Sequence, residues 1–356
     1  MSKTAMRTRR LRAVRGIGAG LVAAAAMALG APAAQADLLS NFEAFPASTQ
    51  AGAHADATTK FTVTDVAGSP VDTLRFHLPT GLLGSVANFA TCKLADFTQT
   101  GANACAPETQ VGEGSVLLNL ASRDAPSFSP MPATVHMLVA GRGDTALLGV
   151  RLLNGLGTAV LHINVRPDDY GLDATLEGFQ NILGGSDVTL WGVPWDHWDS
   201  STQLREERLP FMANPATCGK EALTSVEVNS YKNPNVLEPY SVFTPAQTGC
   251  DQLRFEPDVS TEVTSPFVSS PSGLTFGIDV PQDESADGLA TPPIRDVTTV
   301  LPEGLTINPA LANGLEACTD AQLGKGSSEP STCPAASRVG TAEFEVPALK
   351  DPHVSG

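Results

Sequence analysis

After residue 36 the sequence has no apolar run of membrane-spanning length, and it nowhere carries a long helical periodicity. The first absence excludes a transmembrane helix from the mature chain. The second, with 32 Gly and 27 Pro, leaves short strands joined by many turns. Chemical signatures are missing too: there is no CxxC, HExxH, GxSxG or P-loop, and no pair of histidines at metal-ligand spacing. The one glycine-rich run, Gly16-Ile17-Gly18-Ala19-Gly20, lies in the leader rather than after a strand. Neither a metal nor a cofactor is expected, and the chain is expected not to be an enzyme.

What is present begins with an amino-terminal signal. Lys3, Arg7, Arg9, Arg10, Arg12 and Arg15 form a basic region, followed by an apolar stretch from Gly16 to Leu29 and the small-x-small site Ala34-Gln35-Ala36. That core is too short to span about 30 Å of hydrocarbon, so residues 1–36 read as a cleavable secretory signal. Its removal takes Lys plus Arg from 22 to 16 and leaves Asp plus Glu at 38, a net charge of −22. Such a surface repels nucleic acid and anionic lipid. The expected location is secreted, either extracellular or at the cell surface.

Six cysteines fall in three local pairs, Cys92/Cys105, Cys218/Cys250 and Cys318/Cys333. In an exported protein they read as disulfides. Two of the pairs belong to an internal repeat. Leu78-Pro79-Thr80-Gly81-Leu82, then Cys92, then Cys105 through Val111-Gly112, is echoed by Leu301-Pro302-Glu303-Gly304-Leu305, Cys318, and Cys333 through Val339-Gly340. The offsets are 223 (Leu78 to Leu301), 226 (Cys92 to Cys318) and 228 (Cys105 to Cys333).

Alternating apolar residues predict strands at Phe61–Val63, Leu74–Leu78 and Leu274–Val280, with another starting at Val111-Gly112 and its counterpart at Val339-Gly340. A disulfide-clipped loop with room for a short helix lies between the paired cysteines. Further strands are predicted at Thr134–Val139, Ala146–Leu152, Ala159–Val165, Tyr170–Leu176 and Asp187–Val193. Their turns include Gly141–Asp144, Asn154–Gly157 and Arg166–Asp169. After Val193 the chain reads as polar and irregular, holding Cys218 and Cys250. The expected fold is all-β, with tandem Ig-like or jelly-roll-like β-sandwich modules carrying local disulfides. The expected divisions are a first repeat copy over 37–120, a middle β-rich module over 121–250, a linker over 251–273 and an incomplete second copy over 274–356. Ala348-Leu349-Lys350-Asp351-Pro352 aligns with Ala121–Pro126, which suggests a fragment of a longer repeat protein.

LPxGL, the cysteine pair, CPxxSxVG, Leu190-Trp191-Gly192-Val193-Pro194 and Asn214-Pro215-Ala216-Thr217-Cys218-Gly219 resemble motifs of large secreted repeat proteins of high-GC Gram-positive bacteria. The resemblance covers most of the mature chain. It implies exported β-rich architecture and supplies no catalytic residues.

The best polar cluster is Trp195-Asp196-His197-Trp198-Asp199, whose carboxylates, imidazole and indoles suit a sugar or a metal. As a plain loop the same residues would cover a sheet edge. Asp168, Asp169 and Asp173 lack the EF-hand pattern, Arg142-Gly143-Asp144 is ordinary turn chemistry, and Leu78-Pro79-Thr80-Gly81 sits mid-chain without an anchoring tail. The expected role is a non-enzymatic structural or adhesive surface protein. The alternatives are a polysaccharide-binding module and the non-catalytic part of a secreted hydrolase. Cell-envelope components or polysaccharide are the expected partners.

Overall fold

The computed structural model describes residues 37–355, apart from short stretches at 65–67, 69, 102–103, 120–127, 153–156, 178–182, 302, 307–313, 326, 328–329 and 347–352. The leader, the Ala121–Pro126 correspondence and most of the Asn154–Gly157 turn lie outside the described residues.

Strands run through most of the chain to Thr244: β1 (Leu39–Pro46), β2 (Ala57–Val63), β3 (Val71–His77), β4 (Leu83–Gly84), β5 (Gln110–Asn119), β6 (Phe128–Leu138), β7 (Ala146–Leu152), β8 (Thr158–Val165), β9 (Leu172–Glu177), β10 (Leu183–Leu190), β11 (Met212–Ala213), β12 (Ala222–Ser230) and β13 (Asn233–Thr244). Strands β4 and β11 pair only with each other. The rest form one 11-stranded sheet in the order β1-β2-β10-β5-β6-β7-β8-β9-β3-β12-β13, antiparallel throughout.

The two edge strands approach each other. The Leu38 amide beside β1 donates to Tyr240 Oη of β13 at 2.6 Å, and that hydroxyl donates to Glu238 at 3.0 Å. Side chains rather than a ladder bridge the seam, so the sheet is a nearly closed barrel. The chain is therefore all-β with local disulfides, but it does not separate into tandem sandwiches. Strands from residues 39–119 and from 128–244 interleave, with β10 inserted between β2 and β5 and β3 between β9 and β12. Closure gives inward-facing side chains cover that a two-layer sandwich would draw from a second sheet.

Period-two alternation places the core. Val135 and Met137 of β6, Leu74 and Phe76 of β3, and Val226 and Val228 of β12 are buried inside. A smaller cluster sits outside the wall. There the Cys92–Cys105 disulfide holds the short helix α1 (Leu94–Phe97) against the outer faces of β6 and β7, where Phe97 packs with Leu138 and Leu147. Cys92 is locked to β6 by Cys92 N–Met137 O at 2.8 Å and Val139 N–Cys92 O at 2.9 Å.

Cys218 and Cys250 are joined as expected, with Cα atoms 6.0 Å apart, and so are Cys318 and Cys333. The surroundings of Cys250 correct the sequence reading in two ways. The loop closed by Cys218–Cys250 is not irregular, because it contains the whole β12–β13 hairpin. Nor does Cys250 mark the end of a separate middle module. It opens a 3-10 turn, Cys250–Gln252, and the residues just before it bond back to the segment between β1 and β2. Thr248 N donates to Thr49 O at 2.9 Å, Ala51 N donates to Thr248 O at 2.8 Å, and Gln50 Nε2 donates to Gly249 O at 3.2 Å. The physical reason is that β13 closes against β1, which returns the chain after β13 to the amino-terminal strands.

Beyond this turn come the hairpin β14 (Asp258–Val263) with β15 (Leu274–Asp279), the helix α3 (Asp320–Leu323), and the pair β16 (Glu343–Glu345) with β17 (His353–Ser355). The expected linker thus contains a strand. Helix α3 follows Cys318 as α1 follows Cys92, and the 3-10 turn Ala335–Ser337 follows Cys333 as Pro107–Thr109 follows Cys105. The environments differ. Phe97 and Val111 are fully buried, whereas Leu323 and Val339, at the matching positions, are 56% and 88% exposed. Among the described residues no helix is long and apolar enough to cross a membrane.

Candidate functional site

A barrel of about eight strands is just wide enough to be filled by its own side chains. Eleven strands enclose more room, and small residues on β8 and β9, Ala159 and Ala174, do not fill it. A cavity of about 410 Å³ results, walled by Phe61, Val116, Leu148, Leu161, Ile163 and Leu176 among others. It falls within the range of about 300–1,000 Å³ that ligand pockets occupy. The lining is overwhelmingly apolar. Thr59 and Ser186 contribute hydroxyls, and the one ionisable residue among the described lining residues, Glu177 at the end of β9, pairs with Thr73 on the face opposite inward Leu176.

Apolar wall that faces such a space lacks the packing partners that a filled core supplies. Occupation by an apolar molecule supplies them.

The predicted cluster at 195–199 lies outside the wall on a 3-10 turn, Pro194–His197, and the helix α2 (Ser200–Gln203). Each of its side chains is held by a local partner. Trp195 Nε1 donates to the Gln203 and Glu206 carbonyls at 3.2 Å, and Trp198 Nε1 donates to Gln110 O at 2.9 Å while its ring packs on the core. Asp196 accepts two bonds from the Arg208 guanidinium at 2.6 and 2.9 Å. Asp199 caps α2, accepting from Ser201 N at 2.8 Å and Thr202 N at 3.0 Å. The Ser201 hydroxyl and the Thr202 amide, both donating to it, hold its carboxyl below the ordinary range.

His197 differs from the other four. Its ring stacks on buried Trp191 with centroids 4.6 Å apart and pairs with Asp56 at 3.2 Å. It borders a polar outer groove of about 430 Å³ that also contains Asp56, Glu113, Asp187 and Trp191. The structure therefore brings His197, alone of the five, into a groove, with carboxylates that sequence reasoning does not associate with it. Those carboxylates lie on β5, β10 and the segment before β2, so no local spacing connects them.

The other candidates are accounted for by local structure. Arg166 donates to Asp169 at 2.8 and 3.0 Å and to Asp173 at 2.9 Å, so a guanidinium occupies the space between these carboxylates. Asp144 of the Arg-Gly-Asp turn lies 3.0 Å from His162 Nδ1, and Gly143 has φ +96°. Among the described residues no group of three or more His, Cys, Asp or Glu side chains converges as a metal site. The chain matches no protein-family model, and no curated protein matches it significantly.

Proposed function

We propose that this chain is an exported, non-enzymatic protein whose barrel binds a small apolar molecule in its interior. The apolar cavity carries the reading, because its volume is that of ligand pockets and its lining is apolar and set on regular strands. Export is supported by the amino-terminal leader and by three disulfides, which suit an oxidising compartment. A structural or adhesive role would then fall to residues 258–355, where Phe267 and Val268 stand exposed.

Ala159→Phe tests the reading, since a ring at this lining position fills space that a ligand would need. With a neutral naphthylamine dye whose fluorescence rises in apolar surroundings, the wild type should show saturable binding. The variant should bind at least about tenfold more weakly, a loss of about 1.4 kcal/mol. Its unfolding temperature should be unchanged or raised, because the substitution fills a void rather than overpacking a core. Absence of saturable binding to the wild type, or equal binding by both proteins, would reject the proposal.

Polysaccharide binding at the outer groove is the second reading, favoured by the carboxylates Asp56, Glu113 and Asp187 beside the His197 ring. Retention on a polysaccharide column that falls on His197→Ala would support it. No retention of the wild type would end it.

A further inference from the structure

Alternation along β2 and β10 divides their side chains between the two faces of the wall. Lys60 of β2 and Asp187 of β10 face outward, where they pair at 3.3 Å. Thr58 and Thr189 face the same way, and their hydroxyls bond each other at 2.8 Å. Thr59 shares the inward face with Phe61, and Ser186 shares it with Val188 and Leu190. The register sets Thr59 opposite Val188, and Ser186 between Phe61 and Val116. Both hydroxyls thus look into the cavity from adjoining strands. Unlike Thr58 and Thr189, neither has a hydrogen-bond partner among the described residues.

Their depth decides what they can bind. Ser186 lies three residues from Leu183 at the start of β10, and Thr59 lies four residues from Val63 at the end of β2. At about 3.3 Å per residue, they sit about 10–13 Å along the strands from that end. The side chains around them, Phe61, Val116, Val188 and Leu190, offer no hydrogen bond. A hydrocarbon seated here would cut both hydroxyls off from water and leave their protons without an acceptor. A charged group would lose far more hydration than two hydroxyls return. An uncharged carbonyl oxygen accepts from a hydroxyl and costs little to desolvate by comparison.

Resting on the apolar-ligand reading above, we infer that the cavity takes an uncharged apolar molecule with a ketone or ester carbonyl within its chain, that oxygen seated on Thr59 and Ser186 of the β2–β10 wall. Apolar arms on either side of the carbonyl then meet Leu118 and Leu183 toward one end and Val188 and Leu190 toward the other. Further round the sheet, Leu148 of β7 and Ala159 and Leu161 of β8 present apolar wall that does not compete for the oxygen.

The test is displacement of the naphthylamine dye from the full chain by dipentyl ketone and by pentylbenzene, with the dye's own affinity measured on each protein. The double variant Thr59→Val with Ser186→Ala removes both hydroxyls and little volume. It should bind dipentyl ketone at least about fivefold more weakly than the wild type, about 1 kcal/mol for a lost hydrogen bond. It should bind pentylbenzene as tightly as the wild type or more tightly. Comparing each ligand across the two proteins cancels its own hydration, and saturable pentylbenzene binding shows that the variant is folded. Thr59→Ser keeps both hydroxyls and should keep the ketone affinity. In the wild type alone, the infrared carbonyl stretch of bound ketone should lie below its position in liquid hydrocarbon, a readout that needs no variant. An unshifted stretch, an unchanged ketone affinity in the double variant, or an equal loss for both ligands overturns the inference and leaves the apolar-ligand reading standing. Failure of the dye and both competitors to bind the wild type overturns both.

Discussion

Phe97→Ala should lower the stability of the barrel by about 3–5 kcal/mol, the cost typical of deleting a fully buried ring. Phe97 has no exposed surface, and its ring lies where β7 has no side chain. A Cβ built on Gly149 would stand 2.4 Å from the Phe97 Cζ, so the glycine is required by the ring above it. The Phe97 carbonyl accepts from the guanidinium of buried Arg151, which also donates to Gln99 O at 2.8 Å and Gly101 O at 2.9 Å. The ring therefore roofs a polar arrangement as well as filling a volume. Denaturant unfolding under non-reducing conditions reads the effect with the Cys92–Cys105 clip intact. Gly149→Ala alone should cost about 1–3 kcal/mol through overpacking. The double variant should cost less than the sum, because the intruding methyl has no ring left to meet. Strict additivity would show that the ring does not rest on the glycine in solution.

The same region shows which parts of the fold the sequence makes legible. Strand β7 is readable with its observed bounds because Leu147, Leu148, Val150 and Leu152 sit between turn residues. Strand β6 is readable only from Thr134, yet it begins at Phe128. Pro130 and Pro132 argue against the earlier start, but they lie where β6 pairs with β5 alone, since β7 joins only from Ala133. A missing N–H costs a ladder bond only where a neighbour needs one. The hairpin β12–β13 between Cys218 and Cys250 escapes the reading for a related reason. Its second strand carries Pro234 and Pro239 and is tolerated as the last strand of the sheet. The alternation of Val226 and Val228 with Ser225 and Glu227 is nonetheless a strand signal. The strand expected at Val339-Gly340 starts only at Glu343.

Partnership is harder to read than existence. Alternation tells which face of a strand is buried but not which strand lies beside it, and β2–β10 and β9–β3 join residues more than 90 apart. The cavity is illegible for the same reason. Its lining residues look like any core, and the gap between them follows from how many strands close the sheet. The cluster at 195–199 is visible as a string of chemical groups, but its local partners, Gln110, Gln203, Glu206 and Arg208, are not. Backbone carbonyls carry no sequence signature.

Acidification should destabilise the barrel through His136. This ring is buried on the outer side of β6, with Nδ1 2.9 Å from Thr109 Oγ1 and Nε2 3.0 Å from Thr134 Oγ1. The Thr109 hydroxyl gives its proton to Ala106 O at 2.7 Å, so Nδ1 is the donor and Nε2 the acceptor of a neutral ring. Burial and the nearby Arg151 charge push its pKa down from 6.5 to about 4. The sign follows from proton counting. Between those values the unfolded chain binds a proton that the folded chain refuses, so stability falls as pH is lowered from 6.5 and loses nothing further from this group below about 4. The integrated loss is about 3 kcal/mol, at about 1.4 kcal/mol per pKa unit. His54, pushed down by burial although it bonds Met212 O at 2.8 Å, adds a loss of the same sign. Unfolding free energies across pH 7 to 4 for the wild type and His136→Gln isolate the contribution, because the carboxylates titrate alike in both. The variant should show the shallower dependence, and parallel curves would rule out a neutral buried His136. Phe97→Ala supplies an independent check. Its ring lies 6.2 Å from His136, so removing it opens the site to water and should flatten the same dependence. A ring that keeps a helix in place thereby also keeps a histidine uncharged.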